Sequence, residues 1–289
     1  MKKKFLFFIL VSLFFPLTKQ ADGKGPANSG RENSINVISY NIRMNTPSDG
    51  VNAWPNRIGK VTGLLRFHQA EIFGVQEALP EQVEDLVKAF PEYGHIGVGR
   101  DDGVSSGEHM SVFYLKSRFD MLDGGTFWLN EATDKPGFGW DAVCNRTCTW
   151  VKLKDKNTQK TFLVFNTHFD HRGREAREQS ARLILRFMKE INQDNLPFIL
   201  TGDFNATPDS EPIQTILAEL KDSRSVSVIP PYGPEGTSGG FEVKEKSRII
   251  DFIFINEKVR VLRHGHLSDS FGLFYPSDHL PVLAELEIR

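Results

Sequence analysis

The 289-residue chain has few cysteines and no excess of basic side chains. Its two cysteines exclude a disulfide-stapled scaffold, and no group of Cys and His residues has the spacing of a zinc site. Lys and Arg number 35 against 37 Asp and Glu, so composition provides no global attraction for a polyanion. With 39% hydrophobic and 25% charged residues, the chain is ordinary globular protein, which excludes a disordered, collagen-like or multi-span membrane protein.

The first 33 residues are typical of an export signal and a linker. Lys2, Lys3 and Lys4 precede the apolar run from Phe5 to Phe15, which is too short to span a bilayer as a stable helix. We therefore predict a signal peptide over 1–21, a flexible linker over 22–33 and one domain over 34–289. The alternative is a retained anchor or a buried core helix. Export would place the protein in the periplasm or outside the cell.

Removal of the signal changes the charge of the chain. Four lysines and no acids lie in residues 1–21, so the net charge becomes about −6. The remaining chain, of about 270 residues, is near the upper limit for one hydrophobic core. These values favour a single domain, which we expect to be a monomer, and small or single-stranded substrates over long duplexes.

Two β-α-β units are indicated by the hydrophobic periodicity. The first has a strand at 35–40, a helix carrying Ile58, Val61 and Leu65, and a strand at 71–75. The second unit has a strand at 161–166, a helix at 174–191 and a strand at 197–201. Further elements are predicted as a helix from Pro80, strands within 93–129, a helix around 211–220, and strands at 249–255, 259–266 and 282–288.

Polar residues follow the strands of both units. Asn41 and Glu77 end the strands of the first, and His168 and Asp203 those of the second. Singly, each has an ordinary explanation as a helix cap, a turn residue or a core histidine. Because ligands gather at the carboxyl ends of strands in open α/β sheets, the matched pairs favour one site.

Together these residues describe hydrolysis at phosphorus. Glu77 suits Mg²⁺, and Asp203 can orient and deprotonate a water while Asn205 holds a non-bridging oxygen or the carboxylate in place. His168 and His279 can donate to phosphate oxygens. Asp251 stands inside an apolar strand and needs a partner there.

A contact between Asp251 and His279 would satisfy that buried acid. It would also raise the pKa of His279 and fix its tautomer. The residues thus predict metal-assisted attack of water on a phosphoryl centre.

The motifs SYNIR, GVQEAL, FNTHFDH, LTGDFNATP, RIIDFIF and PSDHLPV resemble, in order, those of the endonuclease/exonuclease/phosphatase superfamily. This resemblance implies an α/β fold, a four-layer α/β/β/α sandwich of two packed mixed β-sheets flanked by helices. It implies Mg²⁺, with Mn²⁺ as a substitute, at one edge of the sheets.

The resemblance also implies roles for individual residues. It places Asn41, Glu77 and the acid Asp278 at the metal site, and His168 at the phosphate. Arg43 stands where some members have an acid, which leaves Glu77 as the principal metal ligand. Asp203 would be the catalytic base and Asn205 its companion. Asp251 and His279 would form a hydrogen-bonded pair of acid and histidine.

The stretch GVGRDDGVSSGEHMSVFYLKSRF resembles the deadenylase and nocturnin branch of the superfamily. Glu108 and His109 in it would line the rim of the site, or belong to a hairpin turn. His171, Arg177 and Arg146 would contact substrate, as would Arg43; the alternative for these arginines is a solvated surface.

Two other features leave alternatives open. Export permits a disulfide between Cys144 and Cys148, but an extended strand would hold their Cα atoms too far apart, which favours free, buried thiols. Trp128, Phe138 and Trp140 form either an aromatic lip or ordinary core and edge packing.

The sequence therefore predicts an exported Mg²⁺-dependent phosphodiesterase, a 3′-exonuclease-like nuclease acting on single-stranded nucleic acid or nucleotides. One alternative is a phosphatase or phospholipase C-type enzyme acting on a small phosphoester or phospholipid head group. Another is a non-catalytic binding module, which is disfavoured because every residue of the chemistry is present.

Overall fold

The computed structural model describes Met1 and residues 33–289 of the chain. The predicted signal peptide and all but the last residue of the predicted linker lie outside the described residues, apart from Met1. Within the described residues, no helix combines the length and the apolar character needed to cross a membrane.

Twelve strands and four α-helices make up the described part of the chain. The strands are β1 Ser34–Asn41, β2 Ile72–Gln76, β3 Tyr93–Ile96, β4 Val112–Leu115, β5 Phe119–Trp128, β6 Thr147–Asp155, β7 Thr161–His168, β8 Phe198–Asp203, β9 Lys221–Asp222, β10 Asp251–Ile255, β11 Val259–His266 and β12 Val282–Ile288. The helices are α1 Ile58–Phe67, α2 Pro80–Ala89, α3 Arg174–Ile191 and α4 Glu211–Leu217.

The strands form two mixed sheets of six. The first has the order β11-β12-β1-β2-β4-β3 and the second β5-β6-β7-β8-β10-β9. In the first sheet β1 and β2 run parallel, as β7 and β8 do in the second, and the other pairs are antiparallel. Two neighbouring parallel strands must be joined by a crossover connection, usually a helix. Each parallel pair accordingly corresponds to one of the two predicted β-α-β units.

Three apolar clusters hold the layers together. Val37 and Val112 of the first sheet pack against Val164 and Ile199 of the second, between the sheets. The outer face of the first sheet is covered by α1 and α2, and that of the second by α3 and α4. Strands that are apolar on both faces are expected in such an arrangement. The predicted four-layer α/β/β/α sandwich is thus confirmed.

The register of the strands brings the polar strand ends together. His168 lies opposite Asp203 in the β7–β8 pair, and Asn41 lies opposite Gln76, the residue before Glu77. Between the sheets, Gln76 Nε2 donates to Asn166 Oδ1 over 2.7 Å; within the second sheet, Thr201 Oγ1 donates to the same oxygen over 3.0 Å. This buried polar contact fixes the two sheets against each other directly beneath the strand ends.

Some local predictions need correction. Helix α4 ends at Leu217 rather than near 220, because the chain turns into β9 there. Glu77 does not cap α2, since Leu79 is the N-cap and its N–H donates to the Gln82 side chain. Cys144 and Cys148 are both free, as expected; Cys148 is buried in β6 and Cys144 is half-buried.

Candidate active site

A cavity of about 390 Å³ opens where the carboxyl ends of β1, β7 and β8 meet. Most of the residues predicted for the site line it. These are Arg43, Glu77, Glu108, Arg146, His168, His171, Asp203, Asn205 and His279. Asn41 and Asp251 are buried directly behind them, where they hydrogen bond to lining residues.

Asp203, the last residue of β8, is the centre of the hydrogen-bond network. Its Oδ2 accepts from Asn41 Nδ2 over 2.9 Å, and its Oδ1 accepts from the Asn205 N–H over 2.9 Å. The same Oδ2 lies 3.4 Å from His168 Nε2. Burial and the nearby Asp251 carboxylate raise the pKa of Asp203 above its ordinary value. The carboxylate is therefore a stronger base than one in water.

His168, at the end of β7, is neutral. Asn205 Nδ2 lies 3.0 Å from His168 Nε2 and donates to it, since the same amide also donates to the carbonyl of Phe169. The proton of His168 is thus on Nδ1, which has no hydrogen-bond partner and lies 3.7 Å from Glu108 Oε2. Burial and the Arg146 guanidinium lower the pKa of His168 to about 3.

His279 is held by the acid predicted to be its partner. Its Nδ1 donates to both Asp251 oxygens, over 2.9 and 3.1 Å. Burial opposes the charged form, but the carboxylates of Asp251 and Asp203 outweigh it and raise the pKa of His279 well above its ordinary value. The buried acid within β10 is therefore neutralised by an imidazolium that lines the cavity.

Glu77 supplies the half-buried carboxylate. Its Oε1 accepts from Asn41 Nδ2 over 2.9 Å and its Oε2 from the Met44 N–H over 3.1 Å. Burial favours the neutral acid, yet the His279 imidazolium and the Asn41 hydrogen bond lower the pKa of Glu77 below its ordinary value. An ionised carboxylate facing a polar cavity is the donor that a hard divalent cation prefers.

Three groups of described side chains have donor atoms within 4.8 Å of one another, close enough for one metal ion. They are Glu77, His168 and Asp203; Asp203, Asp251 and His279; and Cys144, Asp170 and His171. In the second group His279 donates to Asp251, and in the third His171 accepts from Arg146 while Asp170 accepts from three backbone N–H groups. In the first group Asn205 donates to His168 Nε2, so the carboxylates of Glu77 and Asp203 are the donors that fit a metal. The Asn41 amide nitrogen donates to the carboxylates of Glu77 and Asp203, and its oxygen accepts from the Arg43 N–H.

The backbone is strained at three residues that line the cavity. Arg43, Glu77 and Asn205 have φ values of 57°, 61° and 46°. Non-glycine residues rarely adopt this left-handed region, and such conformations persist where the surrounding structure demands them. Each of the three follows closely on a strand end, so the left-handed turn directs its side chain back towards the cavity.

One wall of the cavity is built from ion pairs. Arg100 Nη1 donates to Glu108 Oε2 over 2.7 Å, and Arg146 Nη1 lies 4.0 Å from the same oxygen. Arg146 Nη2 donates to His171 Nδ1 over 3.0 Å. The buried Asp170 accepts from the N–H groups of residues 143, 172 and 173 and lies 3.5 Å from Arg146 Nε.

Three predicted residues lie elsewhere. His109 is buried beside Ala78 and Gly99 and does not line the cavity, unlike its neighbour Glu108. Arg177 donates to the Asp170 carbonyl over 2.9 Å and lines a separate cavity that shares Asn205. Asp278 accepts from the Ser277 hydroxyl and is in none of the three groups that could hold a metal.

Sequence reasoning missed Arg100, Asp170, Met44 and the cavity-lining role of Cys144. The signal for Asp170 was its place between two histidines in FNTHFDH. The aromatic lip is not present at this cavity: among the described residues that line it, none is Phe, Tyr or Trp. Trp128 is buried, and its Nε1 donates to the Arg100 carbonyl over 2.7 Å.

Comparison with known proteins agrees with this architecture. A sequence profile of the Endonuclease/Exonuclease/phosphatase family matches residues 38–279. The RNA exonuclease NGL1 of Saccharomyces cerevisiae is 22% identical over 303 aligned positions, covering 78% of this chain and 82% of the yeast protein.

Solved structures show a closer similarity. A Bacteroides thetaiotaomicron protein of the endonuclease/exonuclease/phosphatase family is 38% identical, with a TM-score of 0.86 over 89% of this chain and 98% of the other. A mannosyl-6-phosphatase of Bacteroides thetaiotaomicron VPI-5482 is 39% identical, with a TM-score of 0.85 over 87% and 99%. With the fold, the catalytic geometry and the profile in agreement, the chain belongs to the endonuclease/exonuclease/phosphatase family of phosphoester hydrolases.

Proposed function

We propose that the chain is an exported, Mg²⁺-dependent phosphatase that hydrolyses a small phosphorylated compound of the sugar-phosphate class. The observation that carries this proposal is the cavity: it is small, lined mainly by charged and polar side chains and, among the described residues, by no Phe, Tyr or Trp on which a base could stack. The 39% identity to a mannosyl-6-phosphatase supports the same substrate class.

In this proposal Asp203 acts as the base that takes the proton of the attacking water. Its raised pKa makes it a better acceptor, and the Asn205 N–H and the Asn41 amide hold its two oxygens in place. Asn205 also keeps His168 Nε2 from turning away. Orientation of the base before the reaction removes an entropic cost from the transition state.

His279 supplies positive charge where negative charge develops. As an imidazolium anchored by Asp251, it can donate a proton in a hydrogen bond to a phosphoryl oxygen. His168 Nε2 lies 3.4 Å from Asp203 Oδ2, but its pKa of about 3 makes it the weaker base, so it does not compete for the proton of the water. The environment thus keeps His279 charged and His168 neutral, and such a separation of pKa values is typical of acid–base sites.

A bound Mg²⁺ would act as a Lewis acid at the phosphoryl oxygens. Glu77 would hold it, with the Asp203 carboxylate within reach of the same ion. Mg²⁺ usually keeps several waters and takes only one or two carboxylates, which matches Glu77 as the ligand with Asp203 beside it. Mn²⁺ would serve as a substitute.

The second candidate is the 3′-exonuclease-like activity predicted from the motifs, on single-stranded nucleic acid or nucleotides. Its support is the relationship to the yeast RNA exonuclease, at 22% identity. The phosphoryl chemistry would be the same, and only the leaving group differs.

A periplasmic or extracellular location and a monomeric state complete the proposal. The location rests on the basic and apolar N-terminal segment, and the monomeric state rests on the single domain.

One assay separates the two candidates. Purified protein is given Mg²⁺ or EDTA with a hexose 6-phosphate, a single-stranded RNA and a single-stranded DNA, with Asp203→Ala as the inactive control. EDTA-sensitive phosphate release from the hexose phosphate alone is the expected result. Mononucleotide release from RNA or DNA would instead establish the nuclease.

A further inference from the structure

The ion-pair wall of the cavity, formed by Arg100, Glu108, Arg146 and His171, supplies no group that acts on the phosphoryl centre in the chemistry derived above. Arg146 is only 4% exposed, and its Nη1 and Nε have no hydrogen-bond partner. The nearest carboxylate oxygens lie 4.0 Å from Nη1 and 3.5 Å from Nε. Arg100 Nε is likewise buried and unpartnered. Buried donors without acceptors are costly, which points to acceptor oxygens supplied by a ligand.

The charge of the wall shows which acceptor fits. Arg100 and Arg146 of the wall are matched by Glu108 and by the buried Asp170 behind it, so these four side chains together carry no net charge. A second phosphate or carboxylate near Arg146 Nη1 would meet Glu108 at close range. A hydroxyl group can accept from the guanidinium and donate to the carboxylate at once, so it matches both partners.

We propose that this wall is a subsite for the leaving group, which binds hydroxyl groups of a sugar ring through Arg146 and Glu108. The proposal rests on the proposed phosphatase function and narrows its substrate to a phosphate ester of a polyhydroxylated ring. His171 lies on the same wall and is exposed, so it marks the solvent side of the subsite.

The wall is preorganised for such a ligand. Trp128 Nε1 donates to the Arg100 carbonyl over 2.7 Å, and Arg100 in turn holds Glu108. Asp170 is anchored by three backbone N–H groups and positions Arg146. Groups fixed before binding lose little entropy when the ligand arrives, and they discriminate strongly against a ligand that leaves them unpaired.

The test compares two phosphate esters of similar ring size, with and without hydroxyl groups: a hexose 6-phosphate and cyclohexylmethyl phosphate. The wild-type protein with Mg²⁺ should prefer the hexose ester by about 100-fold or more in kcat/KM. In Arg146→Met that preference should fall at least about tenfold, and Glu108→Gln should act in the same direction. Arg182→Met, which breaks an exposed ion pair with Glu211, is the matched control and should keep the wild-type preference.

The outcomes separate the subsite from the function. Turnover of both esters with a wild-type preference below about threefold, or with a preference that Arg146→Met and Glu108→Gln leave intact, would overturn the subsite alone. The wild-type comparison does not depend on whether a variant folds. Failure of the wild-type protein to release phosphate from either ester would overturn the proposed function and the subsite with it.

Discussion

His279 Nδ1 lies 2.9 Å from Asp251 Oδ2, and both side chains are buried at the edge of the active-site cavity. An acid inside an apolar strand would be strongly destabilising by itself. Paired with the imidazolium, it keeps a positive charge beside Asp203, whose Oδ2 is 3.8 Å from the same nitrogen. The two residues are 28 positions apart in sequence and meet only because β10 begins beside the loop before β12.

Asp251→Asn should move the alkaline limb of the pH–rate profile towards lower pH. The Asp251 carboxylate raises the pKa of His279, so its loss lets His279 release its proton at lower pH, and activity that needs the imidazolium is lost sooner as pH rises. The measurement is kcat/KM from pH 5 to 10. A profile that coincides with that of the wild type would show that His279 does not act as a cation.

Asp203→Ala should reduce kcat by about 10²–10⁴-fold, the range expected for loss of a general base. The side chain is almost fully buried, and its removal also frees Asn41 and Asn205. Asp203→Asn, which keeps the shape, should lose nearly as much, since an amide cannot take the proton. Circular dichroism and thermal unfolding check that both variants fold; a folded Asp203→Asn with wild-type kcat would exclude the assigned role.

Glu77→Gln should weaken the metal dependence. An amide in place of the ionised carboxylate should raise the Mg²⁺ concentration for half-maximal activity by about 10–100-fold. Calorimetric titration with Mg²⁺ provides a readout independent of turnover. Glu81→Gln is the control, because Glu81 contacts Asn45 at the surface near the cavity and has no place at the metal. Equal Mg²⁺ affinity in wild type and Glu77→Gln would assign the metal to other residues.

The polar residues at the strand ends were predictable because each of them directly follows an apolar run. Asn41, Glu77, His168 and Asp203 could be placed at one edge from the β-α-β pattern alone. The sequence could not show which of the two neighbours, Glu108 or His109, lines the cavity. Adjacent residues of an extended segment point to opposite sides, and only the partner strands decide which side faces the cavity. Here the His109 backbone pairs with Ala78 and Gly99, and Glu108 faces Arg100.

The ion-pair wall was only partly accessible to sequence reasoning. Arg146 was a candidate because of its neighbours, but Arg100 stands in a Gly- and Asp-rich turn that reads as a surface loop. Its role depends on Trp128, 28 positions later, which fixes the Arg100 backbone. Arg177, one helical turn into α3, instead reaches the Asp170 carbonyl. Such long-range contacts leave no periodic trace in a single sequence.

The end of the sandwich away from the cavity is tied by Arg118. Its guanidinium donates to the Ser34 carbonyl over 2.7 Å, to Glu71 and to Asp155 Oδ2 over 3.1 Å, and so links the first sheet to the second. Arg118→Met should lower the free energy of unfolding by about 3–5 kcal/mol, because it leaves the buried Asp155 without its ion pair.

Urea unfolding measures this loss. Arg260→Met, which breaks an exposed pair with Glu287, is the control and should cost about 0–1 kcal/mol. An Arg118→Met effect no larger than that of the control would mean that Asp155 is satisfied by other groups.

His264 should make the protein less stable in acid. It is buried in β11, with Nδ1 2.9 Å from the Ser223 hydroxyl, and burial together with His266 and Arg224 lowers its pKa to about 3. An unfolded histidine titrates near 6.5, so between these values the unfolded chain binds the extra proton. The stability due to neutral His264 is complete above about pH 6.5 and is lost as pH falls towards 3, at up to about 1.4 kcal/mol per pH unit.

Urea unfolding between about pH 6.5 and 4 measures this loss. His264→Asn should remove the contribution of His264 to the pH dependence of the unfolding free energy. Parallel pH dependences for the wild type and the variant would show that folding does not lower the pKa of His264.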